Sequence, residues 1–398
     1  MLAYMKDKHL LQQTKKLAFL LMCLLASIVS VYANDITDTT RPEPRKTLRN
    51  FMNPDSLSAI NFSIIPIPIL TSSPETGLRF GLAIDYFFNA KENDGKEKNE
   101  ARGSFIFGQV TYSTMRQLDL SAAWQVFTKG EKWVLRGRAG YSSFAERVWG
   151  IGMQTVPEDD YWDWNYERTY WDSRIFKLLK GSWYAGLSVN YSNTYRVRYS
   201  KPITPAFNYS DGVNGSLAFG FGPAVLLEKR DYPFSARKGT YFEAVYHNYL
   251  PMGVSPYAYQ EWIVDFRKFY PIAKENAFGY QLFTHITDGD VPLRELPRVG
   301  SANLMRGYFG GRFRNKTISA AQAEYRFQIW RWIHASVFTA GALSAPTVAD
   351  YSTQDFLWTG GAGLRFMVNK KNRMFIRVDY ARNSTFGGAF YFRLNDAF

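Results

Sequence analysis

The chain has 398 residues, 46% hydrophobic and 17% aromatic, with a mean hydropathy of −0.28 and a formal net charge of +13. After residue 33 no stretch approaches the roughly 20 apolar residues that a membrane-spanning helix needs, which excludes a helical membrane protein. The one cysteine, Cys23, leaves the rest of the chain without disulfides or thiol chemistry.

Residues 1–33 have the form of a secretory signal. Lys6, Lys8, Lys15 and Lys16 make a basic start, Leu17 to Val29 an apolar core, and Val31-Tyr32-Ala33 a small-residue cleavage site. Cleavage is expected after Ala33. Met22 before Cys23 and the apolar Leu24-Leu25-Ala26 after it do not make a lipidation site. The positive charge of the remainder is spread rather than massed in one tract. With secretion, this points to anionic lipid head groups or an acidic client and away from nucleic acid.

Residues 34–60 are polar and contain Pro42, Pro44 and Pro54, so a short periplasmic tail is expected there. From Asn61 the chain alternates apolar and polar positions over about ten residues at a time, with turn residues between. Many aromatics without a helical span suit a transmembrane β-barrel, in which only one face of each strand is apolar. Sixteen strands are predicted, at 61–71, 77–89, 101–113, 116–127, 132–144, 166–179, 182–195 and 214–229, then at 239–249, 257–270, 277–287, 318–330, 333–342, 357–368, 373–382 and 386–397. In the fifth, Arg136 and Arg138 alternate with Trp133, Leu135, Ala139 and Tyr141. In the fifteenth, Arg377 and Asp379 alternate with Ile376, Val378 and Tyr380. Arginine at the middle of a lipid-facing surface costs about 2–4 kcal/mol, so these charges must face a polar lumen. Long connections (145–165, 196–213, 288–317, 343–356) alternate with short ones, and the charged loop 90–100 is the exception.

The longest connection leads into the stretch Leu296 to Phe327, which carries Gly300, Arg306-Gly307-Tyr308, Gly310 and Gly311 before a strand ending Glu324-Tyr325-Arg326-Phe327. Loops beyond about 12–15 residues are usually functional or disordered. The run Pro297-x-x-Gly300-Ser301, Met305-Arg306-Gly307-Tyr308 and Glu324-Tyr325-Arg326-Phe327 resembles the signature of the BamA/TamA-type bacterial surface-antigen barrels. Ile65-Pro66-Ile67-Pro68 with Ser73-Pro74-Glu75-Thr76-Gly77 resembles that family's opening hairpin. Lys229-Arg230-Asp231-Tyr232-Pro233 with Lys238-Gly239-Thr240-Tyr241 resembles its turn between strands 8 and 9. The resemblance spans residues 61–398.

It implies an outer-membrane protein that inserts or translocates other proteins, with a lumen-inserted loop between strands 11 and 12. Arg306, Gly307 and Tyr308 would form the loop lock, with Glu324 and Asp379 as lumen partners. Partners would be outer-membrane lipids and unfolded or secreted client proteins. The alternating Phe390 and Phe392 with Phe398 resemble the C-terminal signal by which the barrel assembly machinery inserts such barrels. Two departures stand out. The 27 residues of the tail are too few for the family's POTRA repeats. On the thirteenth strand Thr339 stands where the family has an Asp holding the loop arginine. The alternative function is a passive pore or structural surface barrel with a plugged lumen.

Other chemistry finds little support. His285-Ile286-Thr287-Asp288-Gly289 is similar to the His-x-Ser-Asn-Gly pattern of the outer-membrane phospholipase, but Thr287 replaces the nucleophilic serine. His247, His285 and His334 fall on separate strands without metal spacing. Glu158-Asp159-Asp160 with Asp163 lacks the glycine and final glutamate of a calcium loop. Tyr161, Trp162, Trp164, Tyr166, Tyr170 and Trp171 are expected to anchor the barrel rim at the lipid interface rather than grip a glycan. No enzyme, metal or cofactor is expected.

Overall fold

The computed structural model describes residues 64–88, 104–152, 160–203, 207, 209–251, 255–370, 373–384 and 387–398. The expected signal peptide, the tail, the charged loop 90–100, and Glu158 and Asp159 lie outside the described residues. Among the described residues sixteen strands form the wall: β1 (Ile64–Ser73), β2 (Gly77–Phe88), β3 (Ser104–Ser113), β4 (Leu118–Phe127), β5 (Trp133–Val148), β6 (Trp162–Lys180), β7 (Trp183–Tyr199) and β8 (Ser216–Glu228), then β9 (Gly239–Tyr249), β10 (Tyr259–Pro271), β11 (Ala277–Gly289), β12 (Thr317–Trp330), β13 (Ile333–Ala345), β14 (Leu357–Asn369), β15 (Met374–Asn383) and β16 (Gly388–Leu394). Each pairs antiparallel with its neighbours in sequence, and β16 returns to β1 to close the barrel.

The two-residue period sorts the side chains. In β9, Tyr241, Glu243, Val245, His247 and Tyr249 are buried inside while the residues between them are less so. On the outer face Leu70, Trp171, Leu187, Val337 and Phe390 are at least half exposed. Charged groups inside satisfy one another: Arg136 Nη1 donates to Glu243 Oε1 at 3.2 Å, and Arg267 Nη2 to Asp265 Oδ2 at 2.5 Å. A polar interior under an apolar exterior is the pattern of a barrel in lipid, inverted from that of a water-soluble core.

Several of the expected boundaries move. The β5, β6 and β7 strands run for 16, 19 and 17 residues, well beyond their expected ends. A spanning strand needs only about 9–11 residues, so these three project past the rest of the wall. Their ends enclose a buried cluster of Val148, Trp162, Trp164, Tyr166, Phe207, Tyr249, Tyr259 and Leu293. Trp162, Trp164 and Tyr166 are therefore core residues. Of the six aromatics expected at a lipid rim, Trp171, at the opposite parity, stands half exposed. The strand β16 also ends early, at Leu394. Asn395 adopts φ +64° and turns the chain inward, so Phe398 does not close a strand. It is buried at one mouth of the barrel, its ring 5.9 Å from that of Phe269.

The seam is the weakest ladder. Among the described residues β16 meets β1 at one pair, Ser72 opposite Phe392. Its other edge pairs with β15 from Ile376–Leu394 to Arg382–Gly388. With Ser72 opposite Phe392 and β16 ending at Leu394, Ile64 to Ile69 of β1 have no opposite residue on that strand.

Candidate functional site

Between β11 and β12 the chain leaves the wall for residues 290–316 and comes back against its inner side. A two-residue ribbon, Arg298–Val299 paired with Phe313–Arg314, forms the neck. Val299, Met305, Tyr308 and Phe313 form a small apolar core with Ile318, Ala320, Ala340, Ala342 and Leu357 of the wall. Small wall residues leave the room that the tip fills. The Ser301 hydroxyl accepts from the N–H groups of Asn303 and Leu304 and shapes the turn before Arg306.

The tip places Arg306, 1% exposed, against the wall. Its Nη1 donates to Asp379 Oδ2 on β15 and its Nη2 to Glu324 Oε2 on β12, each at 2.6 Å. The structure thus brings all three of these residues together. Three further arginines share the acids. Arg365 Nη2 lies 2.7 Å from Glu324 Oε1, and Arg377 Nη1 lies 3.3 Å from Asp379 Oδ2. Arg326 joins Glu324 at 2.8 Å, and Asp396 accepts from Arg365 Nε at 2.7 Å. Breaking such a buried network by removing one member costs about 3–5 kcal/mol, because it strands an uncompensated charge.

Thr339 takes no part. It is exposed on the outer face, with its hydroxyl donating to the Thr359 carbonyl at 3.1 Å. The inward residue beside it is Phe338, whose ring centroid lies 3.4 Å from the Arg306 guanidinium carbon. From the outer face Thr339 cannot reach the loop arginine, because neighbouring residues of a strand point to opposite faces. The arginine is held by carboxylates from β12 and β15 with an aromatic ring beneath it.

Gly307 and Tyr308 complete the lock. Gly307 has φ +104°, and a Cβ there would meet Thr359 Oγ1 at 2.9 Å, so glycine is required by both conformation and space. Its carbonyl accepts from Asn383 Nδ2 at 2.5 Å and its N–H donates to the Tyr391 hydroxyl at 2.9 Å. Tyr308 donates to the Trp358 carbonyl at 3.1 Å. Of the three phenylalanines expected to form an insertion signal, Phe390 is exposed outside, Phe392 is partly buried and Phe398 is inside. The Phe398 main-chain oxygen accepts from Arg326 Nη2 at 3.0 Å.

A second anchor, which the sequence reading missed, holds the neck to the opposite wall. Glu146 on β5 accepts from Arg298 Nη1 at 2.9 Å, from Arg314 Nη2, and from the Tyr166 hydroxyl at 2.8 Å. Glu295 at the loop's base accepts from the Ser192 hydroxyl at 2.6 Å and lies 3.4 Å from Arg168. Burial opposes ionisation of Glu295, yet Arg168, Arg294 and the Ser192 hydroxyl together hold its carboxyl below the usual carboxylate value. The neighbouring Arg294, and then burial, bring the Arg298 guanidinium down to about 10. A glutamate two residues before the strand end, facing a run of loop arginines, is the signal that could have found this anchor.

The loop fills part of the lumen only. Beside it lies a cavity of about 890 Å³ lined by Glu75 and Arg79 near one mouth, Asp396 and Phe398 at the other, and Arg138, Asp172 and Asp265 between. Glu261 and His285 also face it, and they belong to a cluster that the sequence reading did not expect. His285 Nε2 lies 2.7 Å from Glu261 Oε1, and His247 Nδ1 lies 2.8 Å from Glu261 Oε2. His247 Nε2 is in turn 2.7 Å from Ser188 Oγ. Two of the three strand histidines thus converge after all, because Glu261 and His247 are cross-strand partners. Ser188 and His247 have no exposed surface, so the hydroxyl is closed to any substrate and the cluster braces β7, β9, β10 and β11. Thr287 donates its hydroxyl to the Lys316 carbonyl at 2.9 Å rather than to His285. Among the described residues no group of three or more His, Cys, Asp or Glu is placed to hold a metal ion.

No protein-family model matches the chain, and no curated protein matches it. Solved structures do. BamA from Haemophilus ducreyi lacking POTRA domains 1-3 superposes with a TM-score of 0.54 at 11% identity, over 84% of this chain and 70% of that one. CdiB from Escherichia coli gives a TM-score of 0.56 at 8% identity, over 84% of this chain and 63% of that one. CdiB from Acinetobacter baumannii gives 0.50 at 12% identity, over 83% and 59%. This chain spans less than two thirds of either CdiB. At such identities the likeness is one of fold: a closed antiparallel barrel of sixteen strands, similar to those of BamA and CdiB.

Proposed function

We propose that this chain is an outer-membrane barrel that inserts or translocates other proteins, using its seam as a template. The observation that carries the reading is the unpaired half of β1. Ile64 to Ile69 have no partner on β16 among the described residues, and an unpaired edge offers its backbone groups to an incoming strand. Pro66 and Pro68 in that segment have no N–H to give, so an incoming strand would be held by the remaining backbone groups. The fold likeness to BamA and CdiB and the Arg306 lock both support this reading. The partners would be outer-membrane lipids around the wall and unfolded or secreted client proteins at the seam. The barrel assembly machinery would insert the barrel itself.

Depletion of this protein followed by quantification of the outer-membrane proteome tests the proposal. A fall in the levels of other barrel or secreted proteins is expected. An unchanged proteome would overturn it and leave a second reading, a passive pore. The cavity that reaches both mouths beside the loop favours that second reading. Single-channel recording separates them: an assembly barrel should be quiet as wild type and leaky as Arg306→Ala, whereas a steady conductance unaffected by the substitution marks a pore.

A further inference from the structure

Residues 307–310 of the loop touch both sides of the seam. On the last-strand side the Gly307 N–H donates to the Tyr391 hydroxyl of β16 at 2.9 Å. On the first-strand side the Gly310 N–H donates to Glu75 Oε1, in the turn joining β1 to β2, at 2.6 Å. Tyr391 lies next to Phe392, and Glu75 lies two residues beyond the end of β1, so the two contacts flank the one direct pair, Ser72 with Phe392. Gly307 sits at φ +104°, where another residue would be strained, and a Cβ at Gly310 would press on Glu75 Cγ and Oε1 at 3.2 Å. The first-strand side is itself pinned. Gln117 Nε2 donates to the Glu75 carbonyl at 2.9 Å and to the Ala145 carbonyl at 2.7 Å, which ties the turn to β5.

We infer that the lumen loop is the clasp of the barrel seam: through Glu75 and Tyr391 it bridges the first and last strands from inside, and its displacement opens them. The inference rests on the seam reading above and names its regulation. A strand edge that meets its neighbour at one pair has little ladder of its own to hold it. The loop provides two backbone hydrogen bonds, one of them to a carboxylate, and such charge-assisted bonds are the stronger kind. These contacts share a peptide segment with Arg306, so anything that draws Arg306 from Glu324 and Asp379 withdraws both halves of the clasp together. A client segment entering the lumen and competing for the loop would thereby expose the edge at which it is to pair.

Hydrogen exchange measured by mass spectrometry on the barrel reads the open fraction at the seam. Loss of a charge-assisted bond and of a neutral one should raise exchange about tenfold in Glu75→Ala and about fivefold in Tyr391→Phe, in peptides covering β1 and β16 only. Peptides of β6 and β7 should exchange as in wild type in both variants. Glu75→Gln, which keeps an acceptor oxygen, should stay close to wild type. Tyr391→Phe is isosteric and carries the test should Glu75→Ala fail to fold. Seam peptides that exchange at the wild-type rate in Tyr391→Phe would overturn the clasp. This readout is independent of clients: an unchanged outer-membrane proteome on depletion would sink the assembly role and leave the exchange result standing.

Discussion

The loop is held by two anchors on opposite walls, and they are built differently. At the tip, Arg306 holds two carboxylates at 2.6 Å each, which Arg365, Arg377 and Arg326 also contact, with a ring beneath it and 1% exposure. At the neck a single carboxylate does the work. One carboxylate, Glu146, serves both Arg298 and Arg314, and the Arg298 side chain is 37% exposed. A buried charge is tolerated only with its partners complete, so the tip behaves as an all-or-none lock. At the neck Arg298, with water at hand, can lose its contact and compensate, while Arg314 is buried. A plug designed to leave the lumen would be expected to give way from the neck first. A permanent plug would have two anchors of the first kind.

The largest effect should come from the tip. Arg306→Ala removes one of the two guanidinia that bridge Glu324 and Asp379 and should cost about 3–5 kcal/mol, read as a lower urea midpoint for loss of the heat-modifiable folded band. Arg365 and Arg377 still contact these acids. A loss below about 1 kcal/mol would mean that they suffice, and that the tip is no lock. Glu146→Gln at the neck should cost less, about 2 kcal/mol, since the amide oxygen can still accept one hydrogen bond while Arg314 stays buried. A larger loss there than at the tip would invert the comparison.

Thr339→Asp sharpens the comparison from outside. Were this position the family's partner for the loop arginine, the new carboxylate would strengthen the tip. Because Thr339 faces outward, the substitution should instead destabilise by about 1–2 kcal/mol, an acidic group on a lipid-facing surface costing less than an arginine there. The same unfolding midpoint decides the sign.

The strand count and the inward parity of the charges were legible because lipid outside and salt bridges inside enforce a strict two-residue period. Glu324 and Asp379 are named through the family resemblance, and each does sit at an inward position of its strand. Past the membrane band that period loses its meaning. Residues such as Asp163 and Asn165 extend β6 where no lipid requires an apolar outer face, so its start read as loop. Contacts between strands depend on register, which no single segment encodes. The pairing of Glu261 with His247 and the reach of Glu146 to Arg298 and Arg314, more than 150 residues on, could be seen only in three dimensions. The inward turn at Asn395 depends on one positive φ and on the arginines waiting for Asp396.

The smallest effect belongs to the base of the loop, where pH is the probe. Glu295 is held below its ordinary carboxylate value in the folded barrel by Arg168, Arg294 and the Ser192 hydroxyl, against the opposing effect of burial. A depressed folded value means that the unfolded chain binds the proton more readily. The stabilisation is therefore complete above about pH 4.3, the ordinary glutamate value, and is lost as pH falls through the lower folded one. Protonation would weaken the Arg168 contact while leaving the tip in place, a change of about 1 kcal/mol on the scale of one hydrogen bond. Recordings from wild type taken between pH 7 and pH 3.5 should show brief openings that increase toward the acid end, and Glu295→Gln should show them already at pH 7. If that variant is as quiet as wild type at pH 7, the base of the loop carries none of the closure, and the difference between the two anchors rests on Glu146 alone.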